Sequence, residues 1–224
     1  MLADTACAAA SAIDVVFADA HLLVLNKPSG LLSVPGRGED KQDCLSRRVQ
    51  AHYPNALIVH RLDMATSGLM LMARSLVMQR ALSQLFERRD VHKRYTAVVD
   101  GHLQPAASPD GWGLIDLPIA VDWPRRPLRI IDAALGKPSQ TRWRTLAWHA
   151  TTHSTRVELA PLTGRSHQLR VHLQALGHPI WGDALYAPEA VQAKAPRLLL
   201  HACALGFAHP ATGSLLAFDS APAF

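Results

Sequence analysis

The stretch ALIVHRLDMATSGLMLMAR (residues 56–74) sets two apolar runs on either side of a loop of small residues. Runs of this length bounded by turn residues read as strands, so 56–63 is expected to deliver Asp63 to the end of one strand and 68–74 to form a second. Asp63 then sits on a connection. Upstream, HLLVLNKPSGLL (21–32) reads as a buried strand stopped by the turn Pro28-Ser29-Gly30, followed by a loop and a helix over about 42–52. Downstream, Val77, Met78, Ala81, Leu82, Leu85 and Phe86 recur at helical spacing behind Ser75, predicting an amphipathic helix that ends near Arg89.

KRYTAVVDG (93–101) alternates as a strand does, and 103–140 is rich in Pro and Gly, which predicts long irregular connections between two lobes. Residues 141–148 and 154–160 read as a hairpin-like strand pair. HQLRVHLQAL (167–176) reads as a helix ended by Gly177 at its C′ position, and PRLLLHACAL and GSLLAFDS read as late strands. Strands outnumber helices and follow one another as hairpins, so the class is α+β with a mostly antiparallel sheet. Residues 1–12 are expected to form a loose tail, and 13–224 one domain in two lobes.

The chain has 224 residues and a net charge of +5, and only five of its 23 basic residues are lysine. The planar guanidinium suits phosphate oxygens and base faces, which points to a polyanionic ligand. Three cysteines, Cys7, Cys44 and Cys203, are too few and too scattered for a disulfide framework or a CxxC knuckle, so a reducing compartment is expected. The alanine-rich start lacks an early positive charge and a leucine-rich core, and no apolar run approaches the roughly 20 residues of a membrane span. The expectation is a soluble cytoplasmic protein that works as a monomer.

Arg61 and Asp63 stand two apart, so on a strand they share one face. Taken alone the pair also fits a surface ion pair of little energetic weight. Met64-Ala65-Thr66-Ser67-Gly68 adds short hydroxyls and a glycine that lets the backbone approach another chain closely, as loops around reactive carboxylates require. PLTGRSHQLRVH (161–172) places Arg165, His167 and Arg170 at the opening of a helix, which equally fits an ordinary basic amphipathic helix. His167 and His172 are five apart with no neighbouring Glu, the wrong pattern for zinc. Tyr95 lies between basic residues on a strand, as a core tyrosine with its hydroxyl at the rim or as a platform for a nucleobase. No Walker loop, dinucleotide fingerprint or nucleophile elbow is present, so neither a cofactor nor a metal is expected.

Taken together, NKPSGLLSVPGR, HRLDMATSG, KRYTAVV, DLPI, GKPSQT, TGRSHQLRVHLQALGHPIWGDALYA and RLLLHA resemble the RluA family of pseudouridine synthases across nearly the whole chain. The resemblance implies the synthase fold with a central RNA-binding cleft, and no S4 domain ahead of it. It makes Asp63 the catalytic aspartate, Tyr95 the active-site tyrosine and Arg170 the basic partner of the acid. Arg61 matches the arginine that fills the space a flipped nucleotide leaves. His60, Thr66, Arg165 and His167 are expected to contact the substrate. The implied partners are the anticodon stem-loop of tRNA and a related hairpin of 23S rRNA.

The chemistry accounts for these residue types. Turning uridine into pseudouridine breaks the N1–C1′ bond, rotates the retained uracil and joins C5 to C1′. Nothing is gained or lost overall, so no cofactor is needed. One carboxylate suffices at the sugar carbon, whereas a hydrolase generally needs a second to activate water. The target must leave its stack at a cost of a few kcal/mol. A synthase with a single or different RNA target, a non-catalytic RNA-binding module and a nucleoside hydrolase are the competing readings.

Overall fold

The computed structural model describes residues 13–224; the expected tail, 1–12, lies outside the described residues. The chain divides into two compact units, one of the residues through Val91 with Leu205–Ser220, the other of His92–Ala204 with Ala221–Phe224.

In the first unit β1 (Val15–Ala18), β2 (Leu22–Lys27) and β4 (Ser67–Ala73) pair in that order, antiparallel. β2 and β4 are near-continuous apolar runs because both of their faces are covered: all seven residues of β4 are buried. Helix α1 (Leu45–His52) follows a turn of 3₁₀ helix at Glu39–Lys41. Helix α2 (Leu76–Arg88) starts where Ser75 Oγ accepts from the Met78 N–H at 3.2 Å, the cap expected of that serine. It ends at Arg89 in the left-handed region, where the Arg89 and Asp90 N–H groups donate to Phe86 O and Leu85 O. Its Met78 and Leu82 enter a core with Leu22, Val24, Leu69, Leu71 and Phe207, but Val77, expected on the apolar face, is 77% exposed. The face is narrower than its apolar residues suggest, because only one helical stripe meets the sheet.

The strand expected over 56–63 shrinks to β3 (Leu57–Ile58), paired with Ala73 and Met72 of β4. The reason is that side chains take the bonds a longer strand would use. The Leu71 N–H donates to His60 Nε2 at 2.9 Å, and the N–H and C=O of Leu62 are both bonded to Ser33 Oγ, at 3.1 and 2.7 Å. Arg61 and Asp63 are therefore not on a strand, and the face they were expected to share does not exist. Leu62 between them is buried while Arg61 is exposed.

In the second unit β5 (His92–Asp100), β10 (Ser154–Pro161), β9 (Gln140–His149) and β6 (Gly113–Asp116) pair in that order, all antiparallel. The stretch 103–140, expected to be irregular, holds β6 and a two-stranded ribbon of β7 (Ile119–Val121) and β8 (Arg129–Ile131). These strands of three or four residues are too short for their alternation to stand out among the Pro and Gly around them. Helix α3 (Gln168–Ala175) is followed by Gly177 with φ +81°, the left-handed end that glycine allows. A four-residue helix α4 (Glu189–Gln192), unforeseen in the sequence, comes next. β11 (Leu200–Ala208) begins four residues later than expected and runs from the second unit into the first, where β12 (Leu215–Asp219) pairs with it. The class is α+β, as expected.

Candidate active site

Asp63 stands at the start of a turn closed by the Thr66 N–H donating to Asp63 O at 3.1 Å. The loop after it is pinned through its carbonyls. Met64 O accepts from the Gly30 N–H (2.9 Å) and from Lys27 Nζ (3.1 Å), and Ala65 O accepts from Ser29 Oγ (2.7 Å). Gly30 can make this approach because it sits at φ +87°. Thr66 and Ser67 are buried, so Thr66 lies inside the loop rather than on a surface that faces a ligand.

Lys27 is a support of this loop that sequence reasoning passed over. It is fully buried, and its ammonium donates to Pro28 O (2.8 Å), Leu31 O (2.7 Å) and Met64 O (3.1 Å), three acceptors for three protons. Burial lowers its pKa from 10.5 to about 8, while the charge of Asp63 acts in the opposite direction and favours the ammonium. The sequence carried one signal, a lysine at the end of an otherwise apolar strand directly before the Pro28-Ser29-Gly30 turn.

His60 is placed as a support. Its Nε2 accepts from the β4 backbone, which leaves the ring proton on Nδ1 in the neutral form, and the ring stacks on Phe86 with centroids 4.5 Å apart. Arg61 alone of the expected residues around the acid is exposed.

In the second unit Tyr95 is half-buried on β5, opposite Leu159 of β10. Arg170 is 4% exposed, so α3 is not the ordinary basic surface helix its composition allows: every residue from Gln168 to Leu173 is buried. The Arg170 guanidinium grips Asp183 through two bonds, Nε to Oδ2 at 2.8 Å and Nη2 to Oδ1 at 2.6 Å, and Asp183 is 1% exposed. Asp183 Oδ1 also accepts from the N–H groups of Leu185 and Tyr186. A forked pair of this kind fixes the plane as well as the charge. The guanidinium carbon lies 5.0 Å from the centroid of Tyr186, whose hydroxyl is 2.6 Å from His167 Nδ1 and accepts from the Arg129 N–H at 2.9 Å.

Asp183 and Tyr186 were also missed. A buried arginine demands a buried carboxylate, but nothing in the spacing of 13 residues between them identifies which one. His167 caps α3 with φ 59°, and Arg165 is exposed while its N–H donates to Gln168 Oε1 at 3.0 Å. His172 is fully buried between Thr141 Oγ1 (2.9 Å) and Leu117 O (3.0 Å), and burial lowers its pKa. Among the described residues no group of three or more His, Cys, Asp or Glu is arranged to hold a metal ion, and no helix is long and apolar enough to cross a membrane.

The sequence model of the RNA pseudouridylate synthases matches residues 21–175, which include Lys27, the Asp63 loop, Tyr95 and Arg170. The chain belongs to that family. The chain is 50% identical over 206 residues to the dual-specificity RNA pseudouridine synthase RluA of Escherichia coli O6:H1, covering 92% of this chain and 91% of the relative. It is 47% identical over 212 residues to the synthase of the same name from Pasteurella multocida, covering 95% and 94%. Among solved structures, human RNA Pseudouridylate Synthase Domain Containing 1 superposes with a TM-score of 0.78 at 28% identity, over 96% of this chain and 85% of that one. The pseudouridylate synthase fold is thus the α+β architecture described above.

Proposed function

We propose that this protein isomerises chosen uridines of structured RNA to pseudouridine, with Asp63 as the catalytic aspartate. The observation that carries this reading is the setting of Asp63: a carboxylate on a turn whose carbonyls are pinned by Lys27, Ser29 and Gly30, in a chain of the pseudouridylate synthase family. The likeness to dual-specificity synthases supports two RNA targets; the family resemblance makes these the anticodon stem-loop of tRNA and a hairpin of 23S rRNA. The protein works as a monomer in the cytoplasm, without cofactor or metal.

The ionised carboxylate of Asp63 acts on the sugar as the N1–C1′ bond breaks, either by bonding to C1′ or by assisting loss of a proton from the sugar. The uracil stays bound, turns, and bonds through C5 to C1′. The hydrogen leaves C5 and N1 ends protonated, so atoms balance with no co-reactant. Tyr95 stacks on the extruded base, and its hydroxyl assists proton transfer only when held close. Arg170 supplies the guanidinium that the family resemblance pairs with the acid. Arg61, exposed beside Asp63, fills the vacated stack. Arg165 takes RNA phosphate, while His60, Thr66 and His167 hold the backbone on which these groups stand.

The test is release of tritium from C5-labelled uridine in an anticodon stem-loop and in a 23S rRNA hairpin. Release by the protein and none by Asp63→Ala, at unchanged melting temperature, is the expected result. No release from either RNA overturns the reading; release from one alone restricts the protein to that target.

A further inference from the structure

The ribbon β7–β8 ends in a tip, residues 122–128, that carries WPRRPL after Asp122. Its base is built into the second unit. Ile119 shares a buried cluster with Val171 of α3 and Tyr186, and Leu128 and Ile131 pack on it. The Arg129 N–H donates to the Tyr186 hydroxyl, and the Tyr186 ring underlies the Arg170 guanidinium. The tip itself is ordered by its own bonds. Asp122, 5% exposed, accepts from the Arg125 N–H (3.3 Å) and Nε (2.7 Å), the Asp122 N–H donates to Leu128 O (3.1 Å), and the Leu128 N–H donates to Arg125 O (3.0 Å).

On this braced support stands Trp123, 68% exposed, with the Arg126 guanidinium carbon 3.4 Å from its ring centroid. An indole has two faces. Arg126 covers one, and the exposure leaves the other to solvent, where so large an apolar ring gains nothing for folding. The neighbouring charges are Arg125, Arg126 and Arg129 against Asp122, and Arg125 already spends its charge on Asp122. An open aromatic face beside unneutralised guanidinium is the chemistry that holds a nucleobase and its phosphate. Arg126 is three residues from Arg129, so at about 3.5 Å per residue the tip stands within roughly 11 Å of the contact to Tyr186.

We propose that the 122–128 tip is an RNA-gripping arm in which Trp123 stacks on an unpaired base of the substrate other than the reacting uridine, and Arg126 holds the adjoining phosphate. This rests on the reading of the protein as an RNA-modifying enzyme. The arm sets affinity for the loop around the target and takes no part in bond making. Because its base packs on Tyr186 and α3, a base held at the tip is held in register with the helix that carries Arg170.

The experiment is the steady-state kinetics of tritium release on a C5-labelled anticodon stem-loop at several salt concentrations, with Trp123→Ala, Trp123→Phe and Arg126→Ala. Trp123→Ala is expected to raise KM by about 5- to 140-fold, the range of one lost base stack, with kcat within about twofold and the melting temperature unchanged. Trp123→Phe recovers most of the loss because a ring face is retained. The dependence of log KM on log salt stays parallel to the unsubstituted protein for Trp123→Ala and becomes shallower by about 0.7 for Arg126→Ala, the contribution of one phosphate contact on a single strand. A KM for Trp123→Ala within twofold of the unsubstituted protein overturns the arm and leaves an acidic protein surface as the tip's partner. A fall in kcat at constant KM overturns it too, by placing Trp123 in the chemistry. Absence of release by the unsubstituted protein is a different failure, because it overturns the proposed activity and the arm with it.

Discussion

The first unit holds its acid by the main chain, while the second holds its guanidinium by a side chain. Around Asp63 the fixed groups are carbonyls, Met64 O and Ala65 O, tied to Lys27, Ser29 and Gly30. Around Arg170 the fixed group is the guanidinium itself, forked onto Asp183. The difference follows from the chemistry of each group. At Asp63 the anchored element is the loop that carries the carboxylate. A guanidinium is a planar fork of donors, so two bonds to Asp183 fix its plane.

The comparison breaks first at Asp183. Asp183→Ala leaves a buried cation without its forked partner, and the expected cost is about 3–5 kcal/mol in urea unfolding with catalysis reduced by about 100-fold or more. A loss below about 1 kcal/mol would mean that α3 holds Arg170 without the carboxylate. Next comes Lys27→Met, which strips three carbonyls of one donor. Partly offset by removal of a buried charge, it is expected to cost about 2 kcal/mol and to lower kcat by about tenfold as the Asp63 loop loosens. Stability lost with kcat intact would separate the cage from catalysis.

The pH dependence sharpens the same contrast. The pKa of Lys27 falls from 10.5 to about 8 on folding. Between those values the unfolded chain binds the proton that the folded chain has released, so this group's contribution is complete above about 10.5 and is lost as pH falls to about 8. Stability of the unsubstituted protein measured against Lys27→Met is therefore expected to rise with pH through this window, by up to about 1.4 kcal/mol per pH unit. A flat difference between pH 8 and 10 would show that the ammonium is not desolvated. The smallest effect belongs to Tyr186→Phe, which removes the hydroxyl between the Arg129 N–H and His167 but keeps the ring under Arg170. About 1 kcal/mol of stability and a change in kcat of less than about threefold are expected.

Much of the fold was legible because its elements obey local rules. Ser75 caps α2, Gly177 ends α3, and the apolar run of β4 is buried throughout, each as its residues dictate. Most departures arise where a side chain or a distant element claims a bond that local pattern would have assigned elsewhere. His60 and Ser33 stop the strand before Asp63, and the short strands of 113–131 form only because partners exist for them. Val77 is helical and apolar, yet exposed, since which stripe of a helix meets the sheet is a matter of packing.

The sequence by itself determined the class of the fold and the family, because motif spacing and binary pattern are properties of the chain. Tertiary structure decided that Arg170 is buried on Asp183, that Lys27 cages the loop after Asp63, and that Trp123 stands exposed on a braced tip. Burial and desolvation belong to the neighbours a residue acquires on folding. A lysine after an apolar strand reads the same on a surface as in a cage of three carbonyls, and only packing tells which.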